Sequence, residues 1–376
     1  MILFKLALAG FIGFVFIACN EGSTQPKTAD STEISSDSNH LNNAANSIRP
    51  KEGKPGWAPD IHPEMQAVIE KLVSYGARPV ESLTAIEARN NPSPATAVND
   101  LIKENHIQVP AAKVDTVGKD IPVKGGVVHI RIYTPQVSET LYPVVLYIHG
   151  GGWVIADMNT YDASAAGISE QTGAVIISVN YRQGPEHKFP TAHSDCFTAY
   201  QWVVNNAGSY KGDPSRIAVL GESAGGNLAA NVAIMARDKK MKVPVAEVLV
   251  YPIAQSNMNS PSYLKNSMAK PLNKPMMEWF YKQYLNSMSE ANDPRICLTK
   301  AKLKGLPPTT IITAELDPLQ SDGQMLRDKM NDAGVKVTYQ NYDGVTHEFF
   351  GMAAVVPEAR EAQKFASDQL KNAFKK

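Results

Sequence analysis

The side chain best placed by its neighbours to act as a nucleophile is Ser223, within Gly221-Glu222-Ser223-Ala224-Gly225. The preceding run, Arg216-Ile217-Ala218-Val219-Leu220, has the length and apolarity of a buried strand, and residues 226–237 are Ala-rich with a helical pattern. Ser223 is therefore expected at the tip of a sharp turn between strand and helix. The flanking glycines suit such a turn, because a Cβ at either position would collide with the neighbouring backbone. The Ala224 amide would then lie at a helix N-terminus, facing any anion that forms there.

A serine hydroxyl is a poor nucleophile until a base takes its proton and a carboxylate orients that base. Only one histidine follows Ser223, namely His347, so the base is fixed by elimination. It comes after a strand-like run at 336–342 and a polar turn, Asp343-Gly344-Val345-Thr346. Asp317 is the best candidate for the orienting carboxylate: it ends the apolar run at 309–314, and Pro318 fixes the turn beside it. Glu315 is its rival, and Asp322 fits less well because it falls inside the following helical segment. A fourth element is His149-Gly150-Gly151-Gly152-Trp153, directly after the apolar run at 143–148. The unhindered amides of Gly151 and Gly152, with that of Ala224, would bind the oxyanion of a tetrahedral intermediate.

Together His149-Gly150-Gly151-Gly152, Gly221-Glu222-Ser223-Ala224-Gly225-Gly226, Asp317-Pro318-Leu319 and His347-Glu348-Phe349-Phe350-Gly351-Met352 resemble the bacterial hormone-sensitive-lipase family of esterases. The loop Tyr181-Arg182-Gln183-Gly184-Pro185-Glu186-His187-Lys188-Phe189-Pro190 is similar to that family's as well, and the likeness covers roughly residues 60–376. The resemblance implies an α/β-hydrolase fold with a helical cap, carboxylester hydrolysis, and no metal or organic cofactor. Two positions depart from the family: Glu222 stands where Asp is usual, and Glu348 where Gly or another small residue is usual. If Glu348 pointed at His347 its charge would favour the imidazolium; the expectation is that it faces elsewhere. Tyr181, Arg182, Glu186 and His187 read as a structural brace beneath the glycine loop.

These residues need a scaffold, and the chain supplies its periodicity. Strands are expected near 127–133, 143–148, 174–180, 216–220, 247–251, 309–314 and 336–342, alternating with helices. Continuous apolarity in several of them predicts an α/β fold, a mostly parallel sheet with helices on both faces, over residues 56–376. Two segments fall outside that rhythm, at about 60–105 and 256–285, and are expected to form the cap. The first opens on a helix with Met65, Val68, Ile69, Leu72 and Val73 on one face. The second is dense in aromatics and Met. Trp153, Trp279, Phe280 and Phe350 are the bulky residues expected to wall the substrate pocket.

Lys plus Arg and Asp plus Glu number 37 each, which leaves no basic footprint for nucleic acid, and the eight histidines are scattered without metal-ligand spacing. Residues 1–18 carry one charge, Lys5, and an apolar stretch at 6–18 that suits a secretory signal. Phe16-Ile17-Ala18-Cys19 is similar to a bacterial lipoprotein cleavage box, so Cys19 is the expected lipidation site; ordinary cleavage or an uncleaved anchor are the alternatives. The polar stretch that follows, within 19–55, reads as a tether. The expectation is an exported protein, lipid-anchored to a bacterial membrane and facing the periplasm or cell surface. Cys196 reads as a small core residue, and with Cys297 it is the only internal pair available for a disulfide.

Three functions are compatible with these features. The first is an esterase acting on small-molecule, short-acyl esters. The second is a deacetylase of acetylated glycans or other exported compounds. The third is a non-catalytic receptor for a small molecule, which the complete set of Ser223, His347 and Asp317 argues against. Oligomeric state is not legible.

Overall fold

The computed structural model describes residues 48–375. The signal segment, Cys19 and most of the tether lie outside the described residues. Eight strands form one sheet: β1 (Val114–Val123), β2 (Gly126–Pro135), β3 (Tyr142–Ile148), β4 (Val175–Asn180), β5 (Gly212–Glu222), β6 (Glu247–Val250), β7 (Thr309–Leu316) and β8 (Val337–Thr346). Their order is β1-β2-β4-β3-β5-β6-β7-β8. β1 pairs antiparallel with β2 and β2 with β4, while every pairing from β4 to β8 is parallel.

Side chains alternate between the two faces of a strand, so each parallel strand feeds two cores. Val144, Leu146 and Ile148 of β3 enter one core, and Val145 and Tyr147 the other. The first core is covered by α5 (Thr191–Asn206), α6 (Ala224–Asp238) and α9 (Gln320–Asp332). The second is covered by α1 (Pro63–Ser74), α3 (Pro94–Glu104), α4 (Asp162–Thr172) and α10 (Pro357–Phe374). Where both faces are buried, as in β3 and β4, a strand has no polar side to present, which is why it reads as a continuous apolar run.

Three features differ from the sequence reading. β1 was not expected: it is an edge strand whose buried position is Ile121, and its Gly, Pro and charged residues carry no apolar pattern. The supposed polar turn at 343–346 is the end of β8, kept in the sheet by pairing of Thr346 with Leu316 across a register shift. On α1, Met65, Val68 and Ile69 are buried as expected, but Val73 at the last turn is exposed.

The two cap segments also divide. Helices α1 and α3 pack into the second core, against the face that carries α10. Only the stretch around α2 (Ala85–Arg89) joins the later insertion, which contains α7 (Pro261–Lys265) and α8 (Lys274–Tyr284). There Trp279 Nε1 donates to the Leu83 carbonyl at 3.0 Å. Cys196 lies buried in α5, and Cys196 and Cys297 are both unpaired. Among the described residues no helix is long and apolar enough to cross a membrane.

Candidate active site

In parallel sheets, loops leaving the carboxyl ends of neighbouring strands converge on one crevice. Here those loops carry the glycine run after β3, Ser223 after β5, Tyr251 after β6, Asp317 after β7 and His347 after β8.

Ser223 is the first non-strand residue after β5, and α6 begins at Ala224. Its φ of 57° and ψ of −118° are strained for a residue with a side chain. The turn is held by the Ser223 amide donating to the Val250 carbonyl at 2.8 Å, and by the Ser223 carbonyl accepting from Asn227 at 3.1 Å. A Cβ at Gly221 would collide with the carbonyl of Gly225, and one at Gly225 with the carbonyl of Ile148.

His347 is 3% exposed, and its Nε2 lies 2.9 Å from Ser223 Oγ. Its Nδ1 lies 2.7 Å from Asp317 Oδ2. An ionised carboxylate can only accept, so Nδ1 carries a proton, and when the ring is neutral Nε2 accepts from the serine hydroxyl. The second oxygen of Asp317 accepts from the Leu319 amide at 2.8 Å, and Asn266 Nδ2 donates to the Asp317 carbonyl at 3.1 Å, so the carboxylate is itself oriented. The rival Glu315 is engaged elsewhere, accepting from the Gly344 amide at 3.0 Å and pairing with Lys265 at 3.2 Å. Asp322 lies inside α9 and accepts from the amides of Ala254 and Gln255, anchoring the chain after β6.

Gly151 and Gly152 take φ of 92° and 59°, which L side chains rarely adopt. A Cβ on Gly151 would strike the Ile155 carbonyl, and one on Gly152 the ring of Phe280. The Gly151 carbonyl accepts from Val154 at 3.0 Å and Ile155 at 2.9 Å, while the amides of Gly151, Gly152 and Ala224 have no acceptor among the described residues. Tyr181 braces the loop: its hydroxyl donates to the carbonyls of His149 and Gly150, and its ring stacks on His149 at 4.4 Å. Burial holds the His149 imidazole at a pKa of about 4, hence neutral. Arg182 and His187 do not join this brace. Arg182 pairs with Asp195 and reaches the carbonyls of Lys124 and Gly125, and His187 is exposed.

Of the four expected pocket walls, Phe280 is the ring brought against the glycine loop. Trp153 is wholly buried, stacked on Tyr284 at 5.1 Å and Tyr281 at 5.9 Å. Trp279 is tied to Leu83 and meets Phe280 edge-on. Phe350 is wholly buried in the second core, on the other side of the sheet from Trp153.

The expectation that Glu348 faces away from His347 is overturned. Its backbone adopts φ 70°, and one carboxylate oxygen stands 3.9 Å from His347 Nε2 while accepting from Tyr161 at 2.6 Å. Behind it, Glu222 is fully buried and receives the hydroxyls of Tyr147 and Tyr251. Burial, then the nearby Glu348 charge, lifts the Glu222 carboxyl to a pKa of about 7. For His347, burial opposes the charged form, but Asp317, Glu348 and Glu222 outweigh it and the pKa is raised.

Sequence reasoning missed Tyr147, Tyr161 and Tyr251, which lie in unrelated stretches and meet only through the sheet order. It also missed Arg89. That guanidinium donates to the carbonyls of Val154 and Gly184 and pairs with Glu186, pinning α2 to the glycine loop.

Comparison with known proteins adds identity to this geometry. A family model described as the α/β-hydrolase fold matches residues 145–351. Carboxylesterase NlhH of Mycobacterium tuberculosis is 34% identical over 321 residues, covering 84% of this chain and 97% of its own. An ethyl acetate hydrolase of Pseudomonas putida is 32% identical over 241 residues, covering 63% of this chain and 76% of its own. Among solved structures, an esterase of Pyrobaculum calidifontis is similar with a TM-score of 0.73 at 33% identity, over 80% of this chain and 97% of that one. The chain belongs to this hormone-sensitive-lipase-like family of the α/β-hydrolase fold and is a carboxylic ester hydrolase.

Proposed function

We propose that the protein hydrolyses short-acyl carboxylic esters through Ser223, His347 and Asp317. The observation that carries this reading is the unbroken relay from Ser223 Oγ to His347 Nε2 at 2.9 Å and from Nδ1 to Asp317 at 2.7 Å. In the first half-reaction Nε2 takes the Ser223 proton as Oγ attacks the ester carbonyl. The amides of Gly151, Gly152 and Ala224 hold the resulting oxyanion. The C–O bond to the alcohol then breaks, the imidazolium protonates the departing oxygen, and an acyl-Ser223 ester remains. Water, deprotonated by the same Nε2, attacks that ester; collapse releases the acid and returns the proton to Ser223.

The short-acyl preference rests on Phe280, packed against Gly152 beside the oxyanion site, and on the small ester named for the Pseudomonas relative. Each buried methylene gains roughly 0.8 kcal/mol until the space is full, after which overpacking reverses the trend. Nitrophenyl esters should therefore give the highest kcat/KM with short chains, acetyl to hexanoyl. A maximum at palmitoyl with activation at an oil–water interface would overturn that preference. Acetate release confined to acetylated sugars would assign the deacetylase reading instead.

Export and anchoring through Cys19 belong to the same proposal and are supported by the apolar stretch at 6–18 before that cysteine. A bacterial host expressing the whole chain should hold the enzyme in its membrane fraction, with Cys19→Ser abolishing lipid attachment; an unmodified, soluble wild-type protein would refute the anchor.

A further inference from the structure

Glu348 is the residue that the relay above does not use and that its own backbone does not favour. Its φ of 70° lies in the left-handed region, where a glycine would be at ease and a glutamate is not. A side chain held in such a conformation next to reacting groups points to a function for that side chain. The carboxylate is not loose in the cleft. Tyr161 donates to one of its oxygens at 2.6 Å, and the same oxygen lies 3.9 Å from His347 Nε2. His347 thus has a carboxylate on each edge, Asp317 at Nδ1 and Glu348 at Nε2.

Resting on the reading of Ser223, His347 and Asp317 as the reacting residues, we propose that Glu348 is a second positioning carboxylate for His347, anchored by Tyr161, which sets the pH range in which the ring accepts the Ser223 proton. The groups facing the ring come from every neighbouring strand end. Ser223 and Glu222 lie at the end of β5, Tyr251 after β6 with its ring 4.5 Å from the imidazole, and Asp317 after β7. Glu348 is faced by Tyr161, by His347, by the charge of Asp317 and by Glu222, which is held by Tyr147 and Tyr251. Burial, with the Asp317 charge, raises the Glu348 carboxyl on balance, against His347 and the Tyr161 hydroxyl, which favour its charged form. Because the sites interact, the limb of the pH profile belongs to the coupled set and not to one residue.

A negative charge at the Nε2 edge stabilises the imidazolium, so the ring stays protonated, and inactive as a base, to higher pH. Glu348→Gln keeps an acceptor for Tyr161 but removes the charge. It should move the acidic limb of kcat/KM to lower pH by about one unit, the size of a water-screened interaction between unit charges ~4 Å apart. Glu348→Gly, which also relieves the backbone, should move the limb in the same direction, and Tyr161→Phe should do so by less. NMR titration of the His347 ring in Ser223→Ala protein, with and without Glu348→Gln, reads the same shift without turnover. A limb and a ring titration that stay in place, or move upward, overturn the proposal. If that happens in an enzyme still inactivated by Ser223→Ala, only the role of Glu348 fails; turnover surviving Ser223→Ala would instead remove the reading beneath it.

Discussion

The loop after β3 and the turn after β5 are both rich in glycine and both close on the same point, yet they solve opposite problems. In the β3 loop the glycines themselves take the left-handed conformations, with φ of 92° at Gly151 and 59° at Gly152. In the β5 turn it is Ser223, a residue with a side chain, that takes positive φ, and Gly221 and Gly225 are there to let three backbones approach. The first loop makes amides available and needs no side chain. The second must aim a side chain, so its strain sits on Ser223, the proposed nucleophile, and its glycines make room. A tightly bonded scaffold sustains that strain, with Ser223 held through Val250 on β6 and Asn227 on α6.

Substitutions can break this comparison. The relay served by the β5 turn should give the largest loss: Asp317→Asn leaves His347 in the wrong tautomer and should lower kcat by about 10⁴-fold, the scale set by the equivalent change in a serine protease. Glu315→Gln, whose partners are Gly344 and Lys265, should leave kcat near wild type; the reverse ranking would mean the wrong carboxylate has been identified. Gly152→Ala tests the other loop. It should cost about 10²–10³-fold in kcat, the effect of losing one oxyanion donor, because the added methyl must displace either the loop or Phe280. The smallest effect belongs to Gly208→Ala, where φ is not positive and no atom lies within 4 Å of the added methyl; activity should be unchanged. Equal losses at Gly152 and Gly208 would show that the positive φ and close approach at Gly152 are not what the activity requires.

Much of this site is legible in the sequence, because the residues that form it are local. Gly221 to Gly225, His149 to Gly152 and Asp317-Pro318-Leu319 are contiguous, and each follows an apolar run whose end fixes where the loop must stand. Distances between such loops follow from the strand order, which places β3, β5, β6, β7 and β8 side by side. What could not be read depends on side-chain direction or on weak periodicity. Glu348 reaches His347 from a left-handed backbone, a conformation the residue type disfavours. Trp153 reads as a pocket wall because it is bulky, but its own positive φ, 62°, accompanies a ring stacked on Tyr281 and Tyr284 of α8. β1, exposed and polar, gives no alternating signal at all.

If Ser223 is acylated and His347 makes it reactive, a fluorophosphonate that captures activated serines should mark it, as read by intact-mass and peptide mass spectrometry. One adduct per chain is expected, on the peptide containing Ser223, formed in step with loss of esterase activity, absent from Ser223→Ala and greatly slowed in His347→Ala. Full inactivation with the adduct on another residue, or ester hydrolysis persisting in folded Ser223→Ala protein, would contradict it.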